Sequence, residues 1–238
     1  MAAPNIAQHR LQSQQIAQPK WKDPGQTVAW LSAMQAQDYA GVSWAVGLRT
    51  CGATHGTVEH AFAEGSIVRT WLMRGTLQIV AAADLHWMVA LLGSRVIAKS
   101  SRRHQQLELD ATAFTRSHAV LSHALANGKQ MTRAELFQAL EEAGISPAGQ
   151  RGYHILRQAA LSGLICFGPM QGKQETYVLI DEWVPPSRAL LARDEALRAL
   201  AARYFCGHGP ATLKDFIWWS GLTTADARTA VEVAKDQL

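Results

Sequence analysis

Gln35, Gln37 and Asp38 place two amides and a carboxylate within four residues, inside the stretch Trp30-Leu31-Ser32-Ala33-Met34-Gln35-Ala36-Gln37-Asp38-Tyr39-Ala40-Gly41. A glutamine takes no proton at neutral pH, but its carbonyl oxygen can hold a water and face a developing cation. Groups this weak suit a bond that is already activated. N-glycosidic cleavage passes through an oxocarbenium-like state. A purine alkylated at N3 or N7 carries a positive charge and leaves without a general acid. Orienting one water beneath the sugar would then suffice, and normal nucleotides would be spared. The other reading of the same cluster is a solvated helix cap.

The elements around these side chains decide between the two. Ala29, Trp30, Ala33 and Met34 form one apolar face, and no Gly or Pro occurs from Val28 to Ala40, so the spacing predicts a helix with Gly41 placed to stop it. On a continuing helix Gln35 and Gln37 would point about 200° apart. They converge only if the helix ends or bends there.

Other chemistries find little support. The nine histidines are scattered, and no Cys or acidic partners stand at ligand spacing, so no metal site and no cofactor is expected. No Gly-rich loop follows a strand, and no serine lies in a GxSxG context. No apolar run reaches the length of a membrane span, and the N-terminus lacks an apolar signal region. Cys51, Cys166 and Cys206 lie far apart and read as buried, reduced thiols of a cytoplasmic protein. The net charge of +4 is uneven: Arg95, Lys99, Arg102 and Arg103 fall in Gly93–Gln106 without an acid, either a nucleic-acid footprint or a solvated linker helix.

Taken in order, the chain predicts a mainly α fold with small β-hairpins. A first helix spans Asn5 to Ala17. Thr27 caps the helix leading to the Gln cluster. Val42 to Leu48 is a short apolar segment, and Thr57 opens a further helix. Ile67–Met73 and Thr76–Val80 flank Arg74-Gly75 as a two-residue hairpin turn. Helices followed by a hairpin are the order of a winged helix, a helix-turn-helix variant. Asp84 caps the next helix. A second module repeats the order, with a capping box at Thr132–Glu135 and strands Leu164–Phe167 and Thr176–Ile180. Pro185-Pro186 reads as a linker, and a third unit starts near Ala189 with Thr212 as a helix cap. The expected units are residues 1–92 (winged helix with the Gln cluster), 93–112 (basic linker helix), 113–186 (second winged helix) and 187–238 (third module, incomplete without a wing).

Three groups of residues carry a family resemblance. Gln35-Ala36-Gln37-Asp38, Arg69-Thr70-Trp71-Leu72-Met73-Arg74-Gly75-Thr76-Leu77, and His208-Gly209-Pro210-Ala211-Thr212 with Phe216, Trp218-Trp219 and Gly221 resemble the AlkZ-like winged-helix DNA glycosylases, the YcaQ/AlkZ superfamily. The resemblance implies tandem winged helices followed by a C-terminal β-barrel, and the barrel is expected to be absent from this chain. It implies removal of bulky or crosslinked alkylpurines from DNA. No Lys lies near Gln35 to Asp38, so a monofunctional hydrolase is expected, a monomer acting on double-stranded DNA of the nucleoid. By resemblance Gln35 and Gln37 form the catalytic Gln-x-Gln pair, with Asp38 in support. Where the family pattern commonly carries His, this chain has Gln78.

The expected DNA contacts are Arg69, Arg74 and Thr76 on the hairpin, with Trp71 and Gln78 beside them, then Arg102, Arg103, Arg151 and His154. Trp71 also fits a plain core position, and Trp218 and Trp219 read as packing residues. The rival to catalysis is a winged-helix DNA-binding regulator, which would have no use for a Gln-x-Gln at a helix end.

Overall fold

The computed structural model describes residues 5–184 and 190–238. Pro185-Pro186 and Ala189, read as linker and start of the third unit, lie outside the described residues. The chain begins with α1 (Ile6–Ser13), α2 (Pro24–Leu31), β1 (Ala33–Gln35), α3 (Tyr39–Arg49) and α4 (His55–Ala63). Then come β2 (Ile67–Trp71), a 3₁₀ turn at Met73–Gly75, β3 (Leu77–Ala81), α5 (Ala82–Lys99) and α6 (Ser101–Gln106). The middle of the chain holds α7 (Ala111–Leu125), β4 (Met131–Thr132), α8 (Arg133–Glu142), α9 (Arg151–Leu161), β5 (Ile165–Phe167), β6 (Thr176–Leu179) and α10 (Ile180–Trp183). Beyond the undescribed residues lie α11 (Arg193–His208), α12 (Leu213–Ser220) and α13 (Thr224–Ala234). The fold is mainly helical with small antiparallel sheets. No helix among the described residues is long and apolar enough to cross a membrane.

The first sheet runs β1-β3-β2 and the second β4-β6-β5, so each short strand before a helix pair joins the hairpin that follows it. Capping fixes several helix starts. Thr132 with Glu135, and Thr212 with Asp215, form reciprocal boxes at α8 and α12, where the sequence predicts them. Elsewhere the cap moves. Asp23, with Pro24 in the first turn, starts α2, while Thr27 is buried. Thr54 starts α4, with Thr57 at the third position. Asp84 sits in the first turn of α5 rather than capping it; its carboxylate accepts from the Trp87 indole at 2.9 Å and pairs with Arg203.

Larger corrections concern the site itself. The helix expected to approach Gly41 ends at Leu31, where Ser32 adopts φ 61° and the chain turns into β1. Val42–Leu48 is not a separate apolar segment but the middle of α3, whose N-cap is Asp38, so Gly41 lies inside a helix. The hairpin is not closed by a two-residue turn. Leu72 and Met73 fold inward and are fully buried, so the connection lengthens to Leu72–Thr76, with Arg74 at φ 56° and Gly75 at φ 77°. Of the cysteines only Cys166 is buried; Cys51 and Cys206 are exposed.

Three cores carry the packing. One lies inside α2–α4 and the first sheet (Val28, Ala36, Val46, Ile67, Ile79). A second joins Trp71 to α7–α9 and the second sheet (Leu121, Leu136, Leu156, Tyr177). The third runs from Leu72 and Met73 through α5 to α11–α13 (Leu85, Met88, Leu200, Phe216, Ala230). α5 is the shared spine. Leu85, Met88 and Leu92 face the third core and Val96 the second, and the basic stretch from Gly93 therefore begins inside this packed helix.

Candidate functional site

The helix ends before the two glutamines, and a short strand, β1, carries the chain to them. Ala33–Gln35 is a strand, in which side chains alternate between faces with period two; Ala36 still bonds to β3, and the chain bends at Gln37. Gln35 and Gln37 are exposed while Ala36 between them is fully buried in the core beneath. The backbone here is held from both sides. The Ala36 N–H donates to the Leu77 carbonyl at 2.8 Å, and the Ala36 carbonyl accepts from Arg69 Nε at 2.9 Å.

Both amides are oriented by the hairpin, Gln35 by its connection and Gln37 by the start of β3. Gln37 Oε1 accepts from the Leu77 N–H at 2.6 Å, which leaves a second lone pair on that oxygen and the whole NH2 group free. Gln35 Oε1 accepts from Arg74 Nη2 at 3.3 Å. Gln78 pairs in register with Gln35 on β1 and with Thr70 on β2. Its side chain is only 2% exposed and donates to Thr76 Oγ1 at 2.8 Å. Asp38 is committed to α3: Oδ1 accepts from the Ala40 N–H at 3.1 Å, and Oδ2 lies where a Cβ at Gly41 would come within 2.7 Å. A side chain at position 41 would therefore push the capping carboxylate aside.

Arg74 joins this cluster to the C-terminal helices. Its Nη1 donates to the carbonyls of Trp218 (3.1 Å) and Trp219 (2.6 Å), the last turn of α12, where a cation offsets the negative end of the helix dipole. Burial lowers the Arg74 pKa, but an arginine remains charged. Among the described residues no three His, Cys, Asp or Glu side chains group as a metal site. What the cluster offers chemically is a pair of amide oxygens at the surface, set by hydrogen bonds, with no free carboxylate at its centre.

The other expected contact residues divide sharply. Arg69 is 4% exposed: it pairs with Glu175, holds the Ala36 carbonyl, and packs between the rings of Tyr39 and Phe167. It cannot meet a phosphate without breaking this arrangement, and its role is to tie the first sheet to the second. Trp71 is a core residue, 5.0 Å from the Phe167 ring centroid and 5.8 Å from that of Tyr153. Gln78 and His154 are also inside, and His154 packs edge-on against His104 at 5.3 Å. Arg151 is spent on the Leu107 and Glu108 carbonyls. Thr76 is half-buried and donates to the Met73 carbonyl. Arg102 and Arg103 are exposed, the latter bridging Gln106 and Gln150.

Several residues around the site escape a reading of the sequence. Glu175 neutralises Arg69 and lies 3.8 Å from Arg133. Arg157 reaches from α9 to the Gly75 carbonyl, where a Cβ on Gly75 would overlap its guanidinium. Arg95 holds the Gly221 carbonyl at 2.9 Å. Trp218, read as packing, is 72% exposed beside Arg74. Arg95 is visible in the sequence only as part of the basic stretch; Trp218 is outside because Phe216 and Ser220, four apart, are both buried, so a residue two positions after Phe216 faces away from the core.

The family model described as "DNA glycosylase AlkZ-like" matches residues 28–238. An "Interstrand DNA cross-link repair glycosylase" of Streptomyces sahachiroi is 25% identical over 228 residues, covering 90% of this chain and 59% of the relative. The solved structure of Streptomyces sahachiroi DNA glycosylase AlkZ aligns with a TM-score of 0.74 at 22% identity, over 94% of this chain and 62% of that one. This chain therefore spans about three fifths of the length of the relatives it matches.

Proposed function

The chain belongs to the AlkZ-like DNA glycosylases, and we propose that it releases alkylated purines from double-stranded DNA by hydrolysis at Gln35 and Gln37. The observation that carries the reading is the two exposed glutamines with Ala36 buried between them, the Gln35 amide oxygen held by Arg74 of the hairpin connection and that of Gln37 by the Leu77 N–H at the start of β3. In this reading the repeated helix–helix–hairpin orders within 1–92 and 113–186 are winged helices, 93–112 links them, and 187–238 forms a third unit. The surface that meets the duplex carries the two glutamines, Arg74 and the exposed Arg102 and Arg103.

The chemistry balances without a general acid. In an N3- or N7-alkylpurine the bond from C1′ to the base breaks, and its electron pair neutralises the cationic ring. A water held by an amide oxygen adds to C1′ and loses its proton to solvent. The amide oxygens face the sugar as it becomes positive, and such a preorganised dipole is worth about 10²–10³ in rate. Asp38, bound into the α3 cap, contributes position rather than proton transfer. The matched relative's name points to interstrand crosslinks, so a crosslinked guanine duplex is the second substrate to assay beside a simple monoadduct.

The test is base release from a duplex carrying N7-methylguanine, and in parallel from a crosslinked duplex. Wild type is expected to form abasic sites on at least one. Gln37→Ala is expected to lower the rate at least ~100-fold while holding duplex affinity within about threefold. Tight binding by wild type with no release from either substrate would favour a non-catalytic DNA-binding regulator. Release by Gln37→Ala at the wild-type rate would remove the amide from the mechanism.

A further inference from the structure

We propose that Trp218 is a base-stacking residue: its indole is presented beside Arg74, which also holds Gln35, to stack on a nucleobase of the duplex engaged at the Gln-x-Gln pair. The proposal rests on the reading of the site given above, since it needs DNA at Gln35. Four observations carry it.

First, Trp218 is 72% exposed, although Phe216, Trp219 and Ser220 around it pack inward or lie half-buried. Leaving so much aromatic surface in water forgoes the burial that drives the rest of this helix inward. Second, the side chain is not loose. The Arg74 guanidinium carbon lies 4.8 Å from the indole centroid, a cation–π contact that steadies one part of the ring and leaves most of it to solvent.

Third, that guanidinium bridges the indole to the glutamine pair. It holds the Trp218 and Trp219 carbonyls with one nitrogen and Gln35 Oε1 with another. A displacement of the indole-bearing turn is therefore felt at Gln35. Fourth, the backbone under the indole is fixed. Gly221 ends α12 at φ 71°, where a Cβ would come within 3.2 Å of the Arg74 side chain, and Arg95 holds the Gly221 carbonyl at 2.9 Å. A rigid aromatic with one cationic neighbour is how sequence-tolerant stacking platforms are built, because every nucleobase offers a π face. Trp218 is thus a positioning residue: it stabilises a disturbed base stack while the glutamines face the sugar.

The test uses the full 238-residue chain and a duplex with a tetrahydrofuran abasic analogue flanked by 5-iodouracil, compared with the same duplex undamaged. Trp218→Ala is expected to lose about tenfold or more in affinity for the abasic-analogue duplex, within the range that removal of a base-stacking aromatic gives. Affinity for undamaged DNA is expected to change little. Trp218→Phe is expected to restore most of the loss. Irradiating the wild-type complex is expected to crosslink the iodouracil to the peptide containing Trp218. The proposal is overturned if Trp218→Ala binds the abasic-analogue duplex within twofold of wild type. It is equally overturned if Phe fails to rescue the loss, or if no crosslink maps to that peptide. None of these readouts needs base release. A wild type that stacks but does not cleave would overturn the glycosylase reading and leave Trp218 standing.

Discussion

Gln37 and Asp38 are adjacent and both offer oxygen acceptors, yet the structure gives them different work. Gln37 points to solvent with one lone pair on the Leu77 N–H, while Asp38 closes the first turn of α3. Asparagine caps a helix about as well as aspartate, whereas alanine costs about 1 kcal/mol. Asp38→Asn is therefore expected to keep both the melting temperature and base release near wild type, and Asp38→Ala to lower the melting temperature by a few degrees. A drop in release by Asp38→Asn greater than about tenfold, with the fold intact, would return the carboxylate to the chemistry.

At the level of elements, the first hairpin serves as a clasp rather than a free arm. Its β2 strand is buried along its whole length, with Arg69 and Trp71 turned to the second sheet, and this is why those two are unavailable to DNA. Removing one partner of a buried ion pair costs about 3–5 kcal/mol, and truncating a buried tryptophan costs a similar amount. Arg69→Ala is expected to lower stability by about 3 kcal/mol in chemical denaturation, discounted because Glu175 is partly exposed. The protein that remains folded is expected to bind DNA with an unchanged salt slope. A reduced slope with unchanged stability would instead make Arg69 a phosphate ligand. Gly93 tests the spine in the same way. A Cβ there would collide with the Leu161 carbonyl oxygen, backbone that cannot yield. Gly93→Ala is expected to destabilise by about 1–3 kcal/mol, the usual cost of overpacking, measured by denaturant midpoint.

Across the whole molecule, charge and buried histidine set the response to conditions. Much of the arginine excess is consumed inside the fold: Arg69, Arg95, Arg151, Arg157 and Arg203 all hold protein acceptors. The exposed Arg102 and Arg103 then carry more of the salt dependence. Replacing both with alanine is expected to flatten the slope of log K against log salt by about 0.9 for each phosphate they no longer neutralise. An unchanged slope would move the DNA surface elsewhere. Acid is the second condition. His154 and His104 face each other between α6 and α9, with Phe114 of α7 against them and Arg157 and Arg103 near by. Burial first, then the facing His104 and the two arginines, lowers the His154 pKa from 6.5 to about 4, and His104 shifts the same way. The folded state thus keeps these rings neutral while the unfolded chain binds protons near 6.5. Their contribution is complete above about pH 6.5 and is lost as pH falls toward about 4. The melting temperature is expected to fall over that interval, and less steeply in His154→Gln. An equally steep fall in that variant would take His154 out of the acid response.

Local features were legible in the residues: the caps at Thr132 and Thr212, the two β runs of each hairpin, the apolar spine of α5, and the Gln-x-Gln pair with its family motifs. These depend on neighbours a few residues away, and propensity and spacing record such neighbours directly. Which side of each element faces protein is settled by packing between distant parts of the chain. Arg69 and Trp71 are inside because β5 and β6 cover β2, nearly a hundred residues later in the chain. Trp218 is outside because Phe216 and Ser220 claim the buried face of α12. Gln35 and Gln37 lie outside any helix because Ser32 ends α2 and lets β1 pair with β3, a long-range hydrogen-bonded register that no local helix pattern could announce.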